Sequence, residues 1–285
     1  MSPPLRLLAT DLDRTLFPNG DQPVEPGAME RFTRWVEQRS FLLVYNSGRS
    51  REEILEGMQT FGAPAPDIMV GEVGTRIYRR IATGYAEDMA WQSVLQNQSP
   101  GWDADAVEAC VATFAGTEKQ PPHHQNTHKR SYFLSPQEDA AALSRQITEK
   151  LKSTLSDLTT VYSVDETNGD CLFDVLPTAA TKRNAMEYLR KSEGLTKEEV
   201  FFSGDSGNDL EALTVGYRSL LVRNATPEVR EAVRQRAAAE KTLETLYVAE
   251  GHPATGNGYY VSGILEGLAH FGWYAPTDPN GHPRA

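Results

Sequence analysis

Asp11 and Asp13 sit two residues apart, directly after the short apolar run 5–10. Carboxylates at i and i+2 of a continuing strand point the same way. Open α/β sheets place their ligands just beyond the carboxyl ends of strands. A plain polar turn capped by Thr15 would use the same residues. Ser47 and Gly48 end a second apolar run, 41–45. A hydroxyl and neighbouring amides there suit a phosphoryl oxygen, with Gly48 allowing close backbone approach. The competing use of Ser47 or Ser50 is to cap the next helix. Lys182, preceded by Thr181, opens a helical pattern holding Met186, Tyr188 and Leu189. A cation at a helix N-terminus is misplaced against the dipole unless an anion lies near it. An ordinary solvated lysine is the alternative. Last comes Gly204-Asp205-Ser206-Gly207-Asn208-Asp209. Its glycines permit a tight turn that faces Asp205 and Asp209 to one point, and carboxylates are the ligands Mg²⁺ prefers.

These groups need a frame. Apolar runs at 5–10, 41–45, 67–70, 200–203 and 219–222 read as central strands of a parallel sheet, buried on both faces. Ser50 with Glu53 makes a capping box, and Thr226-Pro227-Glu228 gives a cap, a first-turn proline and an acid. Strands alternating with such helices predict a doubly wound α/β core. The middle breaks the rhythm. Helical stretches at 104–113 and 137–151, the second opened by Ser135-Pro136, flank strands at 129–134, 159–164 and 171–176. The last two are joined by a turn containing Asn168-Gly169, a hairpin signal. This predicts an inserted α+β domain at 85–176, between core segments 1–84 and 177–285, with a loose tail from Pro276.

The chain has 285 residues, enough for a large core, and a formal charge of −11. That balance argues against a nucleic-acid partner, which needs clustered positive charge. An anionic substrate remains compatible, because a metal and a few cations reverse the sign inside one pocket. Cys110 and Cys171 make neither a disulfide framework nor a zinc ribbon. No signal peptide and no apolar run long enough to span a membrane is readable, so the expectation is a cytoplasmic protein without a membrane partner. His123, His124 and His128 share no helical frame and read as a polar loop, not a metal site.

Taken in order, Asp-x-Asp, Ser, Lys and Gly-Asp-x-x-x-Asp resemble the haloacid dehalogenase superfamily, and the insertion resembles its C2-type cap. Asn46-Ser47-Gly48-Arg49, Val73-Gly74-Thr75, 129–132, Val222-Arg223-Asn224-Ala225 and 263–271 narrow the resemblance to the sucrose-6-phosphate phosphatase family. Mannosylfructose-phosphate phosphatase shows similar motifs. Arg183 departs from the small residue usual after the motif lysine. The resemblance implies a Rossmann-type fold and an Mg²⁺-dependent phosphatase acting through an aspartyl-phosphate. It implies Asp11 as nucleophile, Asp13 as general acid and base, and Mg²⁺ on Asp11, the Asp13 backbone carbonyl and Asp205, with Asp209 beside them. Ser47 and Lys182 would hold the phosphoryl oxygens, with Gly48, Arg49 and Asn208 at the substrate and Lys129 on the sugar. Its partners would be a small-molecule sugar phosphate and, as an option, a sugar-phosphate synthase. Other readings are a different glycosyl-phosphate phosphatase, a phosphomutase, or a non-catalytic sugar-phosphate sensor or synthase accessory domain.

Overall fold

A computed structural model describes residues 3–38, 40–135, 139–164 and 169–276. In chain order the first elements are β1 (Leu7–Thr10), α1 (Ala28–Glu37), β2 (Leu42–Asn46), α2 (Arg51–Phe61) and β3 (Ile68–Gly71). Then come β4 (Arg76–Ile81), β5 (Gly84–Glu87), α3 (Met89–Gln98), α4 (Ala104–Val111), β6 (Thr117–Lys119) and β7 (Arg130–Leu134). α5 (Ala140–Thr154), β8 (Leu158–Val164), β9 (Cys171–Pro177), α6 (Lys182–Ser192) and β10 (Val200–Gly204) follow. The described chain closes with α7 (Leu210–Leu213), β11 (Arg218–Leu221), α8 (Pro227–Ala239), β12 (Leu246–Val248) and α9 (Tyr260–His270).

The larger sheet has the order β12-β11-β10-β1-β2-β3-β4-β5 and is parallel up to β3. Successive side chains feed its two faces in turn. Leu7, Ala9, Val44 and Phe202 pack with α3, α6 and α8 on one side, and Leu8, Leu43, Tyr45 and Phe201 pack with α1, α2 and α9 on the other. Double-sided burial is why these strands read as unbroken apolar runs. β10, β1 and β2 are neighbours, so their carboxyl ends open on one place.

The smaller sheet, β6-β7-β9-β8, is antiparallel. Tyr132, Leu134, Phe173 and Val175 pack against Val107 and Val111 of α4 and Ile147 and Leu151 of α5. Residues 85–98, expected in the insertion, lie instead with the larger sheet. β5 pairs with β4, and Trp91 and Leu95 of α3 enter the core cluster that holds Val70 and Leu189. Asp88 caps α3 through Ala90 N at 3.1 Å, so strand and helix form one continuous addition to that sheet. The helix expected from 137 starts at Ala140, with Asp139 as its cap. Pro136 and Asn168, used above as element signals, lie outside the described residues, as does the tail from 277. Among the described residues, no helix is long and apolar enough to cross a membrane.

Candidate active site

β1 ends at Thr10, whose hydroxyl donates to the Asp11 carbonyl at 2.8 Å and accepts from Ser203 Oγ at 2.9 Å. The Asp11 amide donates to the Ser203 carbonyl at 2.9 Å, so the tips of β1 and β10 are stitched together. That stitch aims the buried Asp11 carboxylate at the turn after β10. Within that turn, Asp209 Oδ2 accepts from the Asp205 amide at 3.2 Å and the Ser206 amide at 3.3 Å. Gly204 is needed for the closeness: a Cβ there would stand 2.6 Å from the Asp209 carboxyl.

Lys182 is the first residue of α6, fixed by the Thr181 hydroxyl accepting from Asn184 N at 3.1 Å. Its buried ammonium donates to Asp11 Oδ1 at 2.7 Å, Asp209 Oδ1 at 2.8 Å and Asn208 Oδ1 at 3.1 Å. The anion required by a lysine at a helix N-terminus is therefore supplied by two strand ends. Burial disfavours the ammonium, but Asp11 and Asp209 more than offset it and hold Lys182 above the usual lysine range. Burial pushes the Asp11 carboxyl well up; Lys182 opposes that, while Asp209, Asp205 and Asp13 add to it. Burial, with Asp209 beside it, lifts Asp205 to about 7, against Arg14 and Lys182.

Asp11, Asp205 and Asp209 each offer a carboxylate oxygen, all within 4.8 Å of one another. Three buried carboxyls crowd together beside one ammonium, the crowding that helps raise Asp11 and Asp205, and such an all-oxygen donor set fits a hard dication. Histidine has no part in that cluster: His123 and His124 lie ring to ring at 4.2 Å, and His128 Nδ1 is 2.9 Å from Gln92 Oε1. Asp13 turns its side chain elsewhere. Arg49 grips both its oxygens, Nη2 to Oδ1 at 2.7 Å and Nε to Oδ2 at 2.8 Å, and Asn19 Nδ2 donates at 2.6 Å. The hydrogen bond to Asp13 is the main reason the Arg49 guanidinium is held above its usual range.

Ser47 is fully buried, its Oγ accepting from the Arg49 amide at 3.2 Å and its carbonyl from Val73 N at 3.2 Å. Gly48 is exposed, and a Cβ there would meet only Val73 Cγ2 at 3.8 Å. Asn208 serves Lys182 and also accepts from Ser206 Oγ at 2.9 Å. Lys129 lies apart, on the smaller unit. It is buried, with Nζ 3.8 Å from Asp174 Oδ1, an oxygen that also accepts from Ser131 Oγ at 2.5 Å. His124 feels the charges of Lys129 and Asp174 and also that of Glu53 on α2. Glu53 in turn is coupled to Arg49. The structure thus brings Asp11, Lys182, Asp205, Asn208 and Asp209 into one cluster, with Ser47, Arg49 and Asp13 at its rim.

Arg14 and Asp174 have no assigned role in the sequence, and Asn224 enters there only within the Val222-Arg223-Asn224-Ala225 motif. Arg14 has φ 57° and stands 3.4 Å from Asp205, and Asn224 Nδ2 holds the Arg14 carbonyl at 2.6 Å. Asp174 carried a readable signal, the single charge in the otherwise apolar β9.

The chain matches the sucrose-6F-phosphate phosphohydrolase family over residues 4–272. It is 37% identical to a putative HAD-like hydrolase of Nitrosococcus oceani, over 93% of this chain and 71% of that one. It is 29% identical to the mannosylfructose-phosphate phosphatase of Agrobacterium fabrum, over 94% and 98% respectively. Among solved structures, the sucrose-phosphatase of Synechocystis in complex with sucrose and phosphate superposes with a TM-score of 0.75 at 29% identity, covering 95% of this chain and 99% of that one.

Proposed function

The chain belongs to the sucrose-6F-phosphate phosphohydrolase family and is a phosphatase, and from that premise we propose that it hydrolyses a sugar phosphate, with sucrose 6-phosphate the first candidate. The observation that carries the reading is the Lys182 ammonium held between Asp11 and Asp209 at 2.7 and 2.8 Å, within a buried carboxylate cluster at adjacent strand ends. We take α4 to β9 as the cap over that site.

Asp11 attacks phosphorus and forms an aspartyl-phosphate as the bond to the sugar oxygen breaks. Asp13 gives the leaving oxygen its proton, then takes one from the water that hydrolyses the intermediate. Arg49 occupies both oxygens of Asp13, so the Arg49–Asp13 pair must open for that carboxyl to reach the leaving oxygen. The three N–H groups of Lys182 all have acceptors. Its longest bond, to the exposed Asn208, is the one a phosphoryl oxygen replaces, while Ser47 receives a second phosphoryl oxygen. Mg²⁺ held by Asp11, Asp205 and Asp209, with the Asp13 backbone carbonyl, would supply charge compensation at the phosphoryl oxygens. Lys129, Asp174 and His124 present a donor, an acceptor and an imidazole to sugar hydroxyls.

Phosphate release across a panel of sugar phosphates with Mg²⁺ tests the reading. A disaccharide phosphate should give the highest kcat/KM. Equal turnover of all esters would overturn it. Mannosylfructose phosphate belongs in the panel, because the Agrobacterium phosphatase aligns over 98% of its length.

A further inference from the structure

Between β3 and β4 the backbone does something costly. Glu72 has φ 52° and Val73 φ 61°, two successive non-glycine residues in the left-handed region, one of them β-branched. Such strain persists only where surroundings over-determine it, and it concentrates at functional joints. Here the surroundings are both halves of the phosphate site. The Glu72 amide donates to the Arg49 carbonyl at 2.9 Å and the Val73 amide to the Ser47 carbonyl at 3.2 Å. Gly74 lies flat on the chain entering α6: a Cβ there would stand 2.6 Å from the Thr181 carbonyl and 3.0 Å from Lys182 N. Trp91 Nε1 and Gln92 Nε2 hold the carbonyls of Gly74 and Thr75 at 3.0 and 2.9 Å.

One residue of the cap reaches this turn with its side-chain amide. Asn126 Nδ2 donates to Glu72 Oε2 at 2.5 Å and to Thr75 Oγ1 at 2.9 Å. Within the cap, the same residue closes the tight turn that presents Lys129. Asn126 and Lys129 exchange backbone bonds at 3.3 Å in both directions, and Asn126 Oδ1 accepts from His128 N at 2.7 Å. All four polar atoms of Asn126 are thus committed, the two backbone atoms and Oδ1 to shaping the turn, and Nδ2 to the core. Its acceptor is a buried carboxylate, so the tie is charge-assisted. His128 Nδ1 to Gln92 Oε1 at 2.9 Å supports it.

We propose that Asn126 is a positioning residue that sets the span between the sugar-facing Lys129 and the phosphate-facing Ser47 and Lys182, by seating the cap turn on the strained Glu72–Thr75 segment. The proposal rests on the sugar-phosphate reading above. A substrate whose phosphate and hydroxyls match that span is held at both ends, and a short ester is held only at one.

The test compares kcat/KM for sucrose 6-phosphate with that for p-nitrophenyl phosphate. In Asn126→Ala the ratio should fall by about tenfold or more, with most of the change in KM for the sugar phosphate. Glu72→Ala should reproduce the fall, and the double variant should lose no more than either single one. Glu72→Gln keeps an oxygen for Asn126 and bears the same backbone strain, so its ratio should stay within about twofold of wild type. A purely structural role would lower both substrates together and leave the ratio unchanged, which would overturn the proposal. So would additive single losses, or Glu72→Gln behaving like Glu72→Ala, since Arg76 Nε stands 3.6 Å from Glu72 Oε1 and the latter outcome would make the effect one of charge on Arg76. A wild-type protein that turns over no sugar phosphate would bring down the parent reading instead.

Discussion

The carboxyl edge of the large sheet and the open side of the small sheet both carry charged residues, and they hold them differently. At the large sheet's edge the clustered carboxyls and Lys182 are clamped. Lys182 has three acceptors within 3.1 Å, and Gly204 stands where a Cβ would collide with Asp209. In the cap, Lys129 is equally buried but its nearest carboxylate oxygen is 3.8 Å away. A tight cluster preorganises charge for one invariant group, the phosphoryl. A looser one keeps hydrogen-bonding capacity for a partner with several hydroxyls. The division of labour proposed here, core for phosphate and cap for sugar, follows from that contrast.

The comparison breaks first at the core. Asp11→Asn should lower activity on every phosphate ester by about a thousandfold or more, because both the proposed nucleophile and one carboxylate of the cluster are lost. Steady-state rates on a sugar phosphate and p-nitrophenyl phosphate check it, and residual activity above about a tenth would refute the assignment. Excess chelator should abolish turnover of both substrates and added Mg²⁺ restore it, with Ca²⁺ a poor substitute because it takes more ligands at longer distances. Gly74→Ala comes next. Its methyl group would collide with Thr181 and has to be borne at φ 94°, displacing Lys182. Misplacement of this kind should cost about a hundredfold in kcat on both substrates alike.

The smallest effect is a control remote from both clusters. Burial opposes the charge of Glu187, but hydrogen bonds from Arg190 and Tyr217 hold its carboxyl down at about 2. A depressed folded-state pKa contributes stability that is present above the unfolded value of 4.5 and is lost as pH falls through about 2. Glu187→Gln should therefore flatten the acid limb of stability, costing about 1 kcal/mol at neutral pH once the exposure of the pair is allowed for. Denaturant titrations at several pH values check this, and the ratio of activities on the two substrates should not move.

How much was legible follows from where burial is two-sided. β1, β2, β3, β10 and β11 announced themselves as apolar runs because helices cover both their faces. β4 and β5 did not: Arg76, Arg79 and Arg80 interrupt a hairpin at the sheet's rim, where one side meets solvent. That omission is also why 85–98 was assigned to the insertion. The clustered site residues were readable because each motif is contiguous with a strand end or helix start. Arg49 was placed on substrate, and only the tertiary arrangement shows it on Asp13. The Asn126–Glu72 contact joins residues 54 positions apart, and although Glu72 adjoins the Val73-Gly74-Thr75 motif, nothing in the sequence pairs it with Asn126. Only the left-handed Glu72 and Val73 mark that joint, and backbone angles at non-glycine residues leave no trace in composition.

The most direct test of the core-and-cap division is kcat/KM of Lys129→Ala on sucrose 6-phosphate and on p-nitrophenyl phosphate, measured side by side. Losing a hydrogen bond from a charged donor to sugar hydroxyls should cost roughly 1.5–3 kcal/mol on the sugar phosphate, a fall of about ten- to a hundredfold. The small ester, which has no sugar, should change by less than about twofold. An equal fall on both substrates, or no fall on either, would contradict the account.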